Sequence, residues 1–510
     1  VSQPSDSAPT RVSGAPEVDR SHSILAALKS PRRLRTEVLA GLVVALALIP
    51  ESIAFSIIAG VDPRVGLFAS FTMAVSIAFL GGRPAMISAA TGAIALVIAP
   101  VVREHGLDYL IATVILGGIL QVLLGVLGVA KLMRFIPRSV MVGFVNALAI
   151  LIFIAQLPYL IDVPWVVYPL VLLGLAIIML FPRLTKTVPA PLVAIVVLTA
   201  ITVTTAIAVP TVGDEGELPD SLPQLLIPDV PFTLQTVQII APYALAMAVV
   251  GILESLLTAK LVDDVTDTHS NKTRESWAQG VANVITGFFG GMGGCAMIGQ
   301  TMINVKASGA RTRLSTFLAG TFLLILVVAL GDVVAIIPMS ALVAVMIFVS
   351  WATFDWHSVR PSTLRRMPKS ETTVMLSTVV VTVWTSNLAY GVVVGVLVAM
   401  VLFAHRVSRF TTVTRRDTND DDGKRLYQVE GELFFASSND LVYQFDYSGD
   451  PDHVVIDFSK ARIWDASTVA ALDAVQTKYE ARGKTVTILG MDPDSAARHG
   501  RLSGNLGAET

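Results

Sequence analysis

The segment from Gly290 to Asn304, GGMGGCAMIGQTMIN, carries the strongest chemical signal in this sequence. Its glycines, Gly290, Gly291, Gly293, Gly294 and Gly299, lie in a chain that otherwise reads as membrane-spanning helix. Glycine is poor helix material, and Gln300 and Asn304 are polar where lipid penalises polarity. The segment reads as a broken helix: an extended arm reaching the membrane midplane, then a short helix starting there. The free N–H groups of such a start attract anions. Non-helical backbone at that depth is tolerated only against protein or a water-filled pocket. An ordinary glycine-rich turn between two spans, or glycines that permit close helix packing, is the other reading.

Two carboxylates stand out beside it. Glu51 and Glu254 each lie within an apolar run, where an ionised carboxylate costs about 2.5–3.5 kcal/mol on insertion scales. Each is expected to face a cavity, a cation or a proton path; a helix-end place near headgroups is the alternative. Thr258 falls one turn after Glu254 on the same helix face. The two glutamates also sit in matching places. Pro50-Glu51-Ser52 interrupts the first expected helix and Leu253-Glu254-Ser255 the eighth. The small-residue stretch Ser88 to Ala93 falls in the third and the Cys295 segment in the tenth. Interruptions in the same order in two halves are the sign of inverted repeats, with the binding site where the broken helices meet.

The elements that must position these residues follow from composition. Hydrophobic residues make up 53% of the chain and charged residues 15%, against about 25% charged in soluble domains. The chain is therefore expected to be an α-helical polytopic membrane protein. Apolar runs from Thr36 to Arg406, split by short polar joints, give about fourteen transmembrane helices in a 7+7 arrangement. Lys and Arg gather at alternate joints, among them Lys131, Arg138, Arg183, Lys186, Lys260, Lys272, Arg311 and Arg365. The longest intervening joint, Thr211 to Phe232, is acidic, with Asp214, Glu215, Glu217, Asp220 and Asp229. The positive-inside rule places both termini in the cytoplasm and that loop outside. A near-zero net charge gives no hint of nucleic acid. The single cysteine excludes an intramolecular disulfide framework, and the histidines show no zinc spacing.

The domain boundaries expected are an N-terminal cytoplasmic tail at 1–35, a transport domain at 36–406 and a polar linker at 407–424. A small soluble domain follows at 425–492, then a fraying tail at 493–510. In the soluble part Tyr427–Phe435 alternates like a strand and His453–Phe458 is a buried strand. Ser467–Arg482 has helical periodicity, and Val486–Leu489 is a further strand, which together predict a small α/β layer.

These residues resemble the SulP anion permeases, solute carrier family 26 in animals. The likeness is carried by VLAGLVVALALIPESIAFSIIAGVDPRVGLFAS, ISAATGAIALV and INVKASGARTRLS, with VVIDFSKARIWDASTVAAL resembling a STAS domain. The resemblance implies helices 1–4 and 8–11 as a substrate-carrying core and helices 5–7 and 12–14 as a gate. It also implies elevator-type movement and a homodimer. Thr91, Gly92 and Ala93 would open half-helix 3, and Ala296, Met297 and Ile298 half-helix 10, around a small inorganic or carboxylate anion. Phe55 would form an apolar wall, or a plain core contact. In sodium-coupled relatives Glu254 and Thr258 correspond to the Na⁺ site, completed by Thr91 and carbonyls of half-helix 10; a proton on Glu254 is the competing explanation. Glu51 stands where many relatives have Gln and is the candidate for proton coupling. Gln300 replaces a common Arg, and Ala89-Ala90 a common Gly-Pro. Both Gln300 and Glu51 make the pocket less positive, which favours bicarbonate, or an anion moved with H⁺ or Na⁺, over sulfate alone. Ser467 and Thr468 occupy the loop phosphorylated in related soluble domains, where they could equally cap a helix.

The function expected is secondary active transport of a small anion coupled to Na⁺ or H⁺, at the cell membrane. No enzymatic chemistry and no cofactor beyond a coupling Na⁺ is expected, since the spans hold no convincing Ser/His or Asp/Asp pair. A membrane sensor or scaffold recruiting a partner through the STAS-like domain is the alternative. A nucleobase carrier of the same architecture would lack that domain.

Overall fold

Pro31 occupies the first turn of a helix of 29 residues that runs on through Pro50-Glu51-Ser52, so that expected interruption does not break it. The computed structural model describes residues 24–184, 189–231, 233–417, 424–438 and 441–504. In chain order its first run of elements is α1 (Pro31–Ala59), α2 (Pro63–Leu80), β1 (Ser88–Ala89), α3 (Gly92–His105), α4 (Leu107–Val126), α5 (Arg138–Gln156), α6 (Val167–Leu180) and α7 (Ala190–Thr205). The second run repeats the order. It comprises α8 (Leu234–Thr266), α9 (Lys272–Phe288), β2 (Cys295–Ala296), α10 (Ile298–Met302), α11 (Arg313–Ala329), α12 (Met339–Thr353), α13 (Lys369–Thr385) and α14 (Leu388–Ser408). Each run opens on its longest helix and puts a two-residue strand before its shortened third helix, as the doubled interruptions predict. Among the described residues six helices, α1, α2, α4, α5, α8 and α14, are long and apolar enough to cross a membrane. The figure of about fourteen spans counts the shorter and interrupted elements as well.

Within the unit ending at Gly395 the helices pack as two bundles. α1–α4 interleave with α8–α11, so that α11 lies on α1 and α2 as α4 lies on α8 and α9. α5–α7 pack with α12 and α13. The bundles meet where α1 and α3 touch α5, α7 and α12. These groups match the core and gate that the resemblance implies. α9 carries a fully buried polar stripe, Glu275, Gln279, Asn283 and Thr286, at the i, i+4, i+8, i+11 spacing of one helix face.

Charged groups at the ends of the core helices do structural work. Glu37 accepts hydrogen bonds from the backbone N–H groups of Arg311 (2.9 Å), Thr312 (3.1 Å) and Ser315 (3.2 Å), capping α11. Glu275 accepts from Gly82 (2.6 Å) and Arg83 (2.9 Å). Arg274 and Arg313 donate to the last carbonyls of α2. These basic residues thus serve a helix C-terminus. The acidic joint is tied down along its length. Pro210 and Val212 bond across to Met339 and Ile337, Glu217 pairs with Arg64, and Leu226 N–H donates to Phe288 (2.7 Å). The Asp214 carboxyl is held below its usual range by the backbone N–H, and next the hydroxyl, of Thr211.

The unit from Val396 onward contains a four-stranded sheet in the order β3 (Thr412–Asp417), β4 (Lys424–Leu433), β5 (His453–Ile463), β6 (Thr485–Leu489). The β3–β4 pair is antiparallel and the others parallel. Helix α15 (Ala466–Glu480) connects β5 to β6. Its Val469, Leu472, Val475 and Tyr479 bury against Val429, Leu433, Ile456 and Phe458.

Three boundaries differ from expectation. The tail at 1–35 already contains the first turn of α1 and a short helix, Ile24–Leu28. The linker at 407–424 contains β3, whose charged TVTRRD sequence suits an edge strand. The fraying tail instead forms α16 (Pro493–Leu502), started by Asp492, which accepts from the N–H groups of Asp494 and Ser495, with Pro493 in the first turn. Residues 1–23, Lys186, Phe232, the acidic run at 418–423 and residues 505–510 lie outside the described residues.

Asp450 is the polar centre of this second unit. Its Oδ2 accepts from the phenols of Tyr427 (2.8 Å) and Tyr479 (2.6 Å), and Arg425 Nε lies 3.3 Å from Oδ1. Burial, and next the bond to Asp450, hold the Tyr479 phenol well above its usual value. A raised folded-state value means stability that is complete below the unfolded pKa, about 10, and lost as pH rises above it. The melting temperature of the C-terminal unit is therefore expected to hold up to about pH 10 and to fall as the pH rises above it. Tyr479→Phe should flatten that fall while lowering stability at pH 7 by about 1 kcal/mol.

Candidate functional site

Two extended arms meet inside the α1–α4/α8–α11 bundle. β1 and β2 pair antiparallel, Ser88 opposite Ala296 and Ala89 opposite Cys295. The glycines of the second arm make this contact possible. Gly293 has φ +76°, and a Cβ on Gly294 would lie 2.0 Å from the Ala89 carbonyl oxygen. All four strand residues are buried, so their neighbouring backbone groups need partners, and side chains supply them. Asn304 donates to Ala85 O (2.8 Å), Thr316 to Met86 O (3.1 Å), and Ile87 N–H to Thr301 Oγ1 (3.0 Å). Ala90 N–H donates to Ser70 Oγ (3.2 Å), and Ala296 N–H to Ser255 Oγ (3.1 Å). Ser70 in turn lies 2.5 Å from Ser52. The serine of each repeated Glu-Ser pair thus serves an arm, Ser255 directly and Ser52 through Ser70.

Thr91 is the N-cap of α3, its hydroxyl accepting from Ile94 N–H (3.4 Å). Gly92 opens the helix beneath Phe55: a Cβ there would fall 2.9 Å from Phe55 Cε1 and 3.2 Å from Ile152 Cδ1 of the second bundle. Phe55 is buried against the start of α3 where the bundles meet. Met297 stands at the N-cap of α10 without a side-chain cap, and its N–H donates to Ile87 O (2.9 Å). Ala93, Ala296 and Met297 are buried, Ile298 is half-buried and Gly299 is exposed. No atom lies within 4 Å of a Cβ built on Gly299, so α10 opens onto free space there. Gln300, in the next position, is buried, and α10 packs against α1, which carries Glu51.

Glu254 belongs to a second cluster. Cys295 Sγ lies 2.9 Å from Glu254 Oε2 and 3.1 Å from Thr91 Oγ1, bridging the carboxylate to the start of α3 across the two repeats. Thr258 donates to Glu254 O (2.8 Å) and lies 3.5 Å from Ala296 O. It therefore reaches the arm backbone rather than the Glu254 carboxylate. The Glu254 carboxylate and Thr91 Oγ1 are joined through the Cys295 sulfur, while Thr258 Oγ1 faces the Ala296 carbonyl. The described residues contain no group of three or more His, Cys, Asp or Glu that could hold a metal.

Sequence reading missed the residues that hold the arms: Ser52, Ser70, Gln121, Ser255, Asn283 and Cys295. Ser52 and Ser255 adjoin the glutamates of the repeated pairs and Asn283 lies on the polar stripe of α9, so their places were marked in the sequence although their bonds were not; Ser70 carries no such mark. In the C-terminal unit the two candidate phosphorylation sites separate. Thr468 is fully buried and donates to Asp465 Oδ1 (3.0 Å), which makes it part of the α15 cap. Ser467 is exposed in the first turn.

With this geometry, the relatives of the chain can be placed. Residues 34–169 and 162–378 match the model of the sulfate permease family, and residues 415–503 that of the STAS domain. The chain belongs to the sulfate permease family. A family member from Bacillus subtilis named "Putative sulfate transporter YbaR" is 54% identical over 91% of this chain and 95% of its own length. The "Bicarbonate transporter BicA" of Picosynechococcus is 26% identical over 90% of this chain and 89% of its own. The solved transmembrane domain of a cyanobacterial bicarbonate transporter BicA superposes with a TM-score of 0.64, covering 72% of this chain and 97% of that one. Murine Solute Carrier 26 family member A9 shares the fold at 18% identity, with a TM-score of 0.78 over 92% of this chain and 87% of that one. The sulfate permease family consists of multi-pass membrane transporters of anions, and this chain carries a STAS domain after its membrane part.

Proposed function

We propose that this protein is a secondary active carrier of small anions, sulfate, bicarbonate or a carboxylate, driven by Na⁺ or H⁺. The core bundle would move past the gate bundle in an elevator-type cycle, in a homodimer at the cell membrane with both termini cytoplasmic. The chemistry is transfer without bond making, so no enzymatic role is assigned. What supports the reading is the β1–β2 contact, which sets the start of α3 against the β2 arm and attaches a buried carboxylate to both through Cys295. The names of the relatives support sulfate and bicarbonate as the first substrates to test. Glu51 beside the opening at Gly299 supports coupling to H⁺ at that point, and the oxygens around Glu254 support a coupling cation. In the STAS domain Ser467 is the one of the two hydroxyls placed to accept a regulatory phosphate.

The test is uptake of labelled sulfate and bicarbonate into proteoliposomes, with Na⁺ and pH gradients imposed separately. Wild type is expected to take up anion faster as external pH falls, because protonating Glu51 removes its repulsion of the anion. A unit charge at ~4 Å with an effective ε of ~20 is worth ~4 kcal/mol, so the rise should be about tenfold or more. Glu51→Gln should transport with little dependence on pH. An unchanged pH profile in that variant rejects the proton assignment, and no flux under any gradient rejects transport.

A further inference from the structure

The second arm is gripped by a side chain that behaves like a strand. Asn283 of α9 accepts from Gly294 N–H through Oδ1 (2.8 Å), and its Nδ2 donates back to Gly294 O (3.0 Å). The same Nδ2 donates to Gln121 Oε1 of α4 (2.8 Å). Asn283 and Gln121 are both fully buried. Gln121 Nε2 rests against α8, where a Cβ on Gly251 would lie only 2.4 Å from it and 3.7 Å from Cys295 Cβ. One residue beyond the grip is Cys295, whose sulfur joins Glu254 to Thr91. The first arm is held differently, by hydroxyls and single bonds: Thr301 Oγ1 meets the N–H and the carbonyl of Ile87 (3.0 and 3.4 Å), Asn304 donates to Ala85 O, and Ser70 accepts from Ala90 N–H.

We propose that Asn283, backed by Gln121, is a positioning residue for transport: it fixes the height of the second arm and so the placing of Cys295 between Glu254 and Thr91. The proposal rests on the transport reading above. Both hydrogen-bonding groups of Gly294 are fixed by one carboxamide, so the arm cannot slide along α9 without breaking two bonds. A side chain that only filled space would place no such demand on register. Asn283 touches neither the opening at Gly299 nor Glu51, so its effect on the anion must travel through the arm.

Cys295, the single cysteine of the chain, is a built-in reporter of that arm. The experiment uses full-length protein in proteoliposomes and compares wild type, Asn283→Ala and Gln121→Met. Three quantities are read: the melting temperature, the KM and turnover for sulfate and bicarbonate uptake, and the rate at which N-ethylmaleimide labels Cys295. A displacement near 1 Å alters the working of a site by up to about a hundredfold. The expected result is a KM raised about tenfold or more in Asn283→Ala with turnover changed less, together with labelling at least about tenfold faster than in wild type. Gln121→Met, which keeps the grip on Gly294, should move both in the same direction by less. If Asn283→Ala does not fold, Gln121→Met alone decides. A lowered melting temperature with unchanged KM and labelling rate overturns the positioning role and leaves a structural one. Absence of uptake in wild type itself overturns the transport reading, and this proposal with it.

Discussion

Gly294→Ala is expected to abolish anion uptake. The added methyl would sit 2.0 Å from the Ala89 carbonyl oxygen and 2.6 Å from its carbon. Both are backbone atoms of the opposing arm, and neither can turn aside as a side-chain tip would. The arms must separate, which breaks the β1–β2 pair and draws Cys295 away from Thr91. Overpacking of this kind costs about 1–3 kcal/mol, too little to unfold most membrane domains but enough to misplace the site. Purified Gly294→Ala should therefore still melt cooperatively, at a lower temperature, with uptake down by about a hundredfold. Gly299→Ala is the control. With no atom within 4 Å of the new methyl, it should fold as wild type and change only anion affinity. Equal activity of the two variants would show that arm contact is unimportant.

That contrast marks what could be read from the chain alone. The glycine run, with polar Gln300 and Asn304 behind it, pointed to a broken helix, with a plain turn or close helix packing as the other reading. The repeated Glu-Ser pairs announced two halves. Neither gave the register between elements, and register decides the roles. Gln121 and Asn283 are 162 residues apart in sequence, and no local pattern states that their amides meet. Serine in an apolar helix most simply bonds to its own preceding turn, as Ser56 does to Ser52 O, so Ser70 and Ser255 gave little sign that they hold the arms. In the C-terminal unit the strands with alternating or continuous apolar residues were legible. β3 and α16 were not, because an edge strand and a surface helix are charged by nature and read as linker and tail. The Asp-Pro start of α16 was a usable cap signal that composition outweighed.

Burial alone does not single out a coupling carboxylate either, and this bears on the second large effect. Glu37 and Glu275 are as buried as Glu254, yet both use their oxygens on backbone N–H groups at helix ends and helix starts. Those charges are committed to the fold. Glu254 bonds instead to a side chain, the Cys295 thiol. A thiol is a weak donor, so Glu254 keeps capacity to exchange it for a cation or a proton. Glu254→Gln retains the shape and an acceptor for Cys295 but removes the charge that either ion would neutralise. The expected outcome is downhill anion exchange near the wild-type rate, with gradient-driven accumulation reduced by about 5–150-fold, the range of a typical coupling free energy. Glu254→Ala should lose accumulation too, and also stability, since the Cys295 thiol is left without its acceptor. Measuring accumulation under a Na⁺ gradient and a pH gradient in turn identifies the ion, because only the gradient that Glu254 uses should lose its effect. A Glu254→Gln protein that accumulates anion as wild type does would place the coupling site elsewhere, with Glu51 in the matching place of the first repeat the next carboxylate to test.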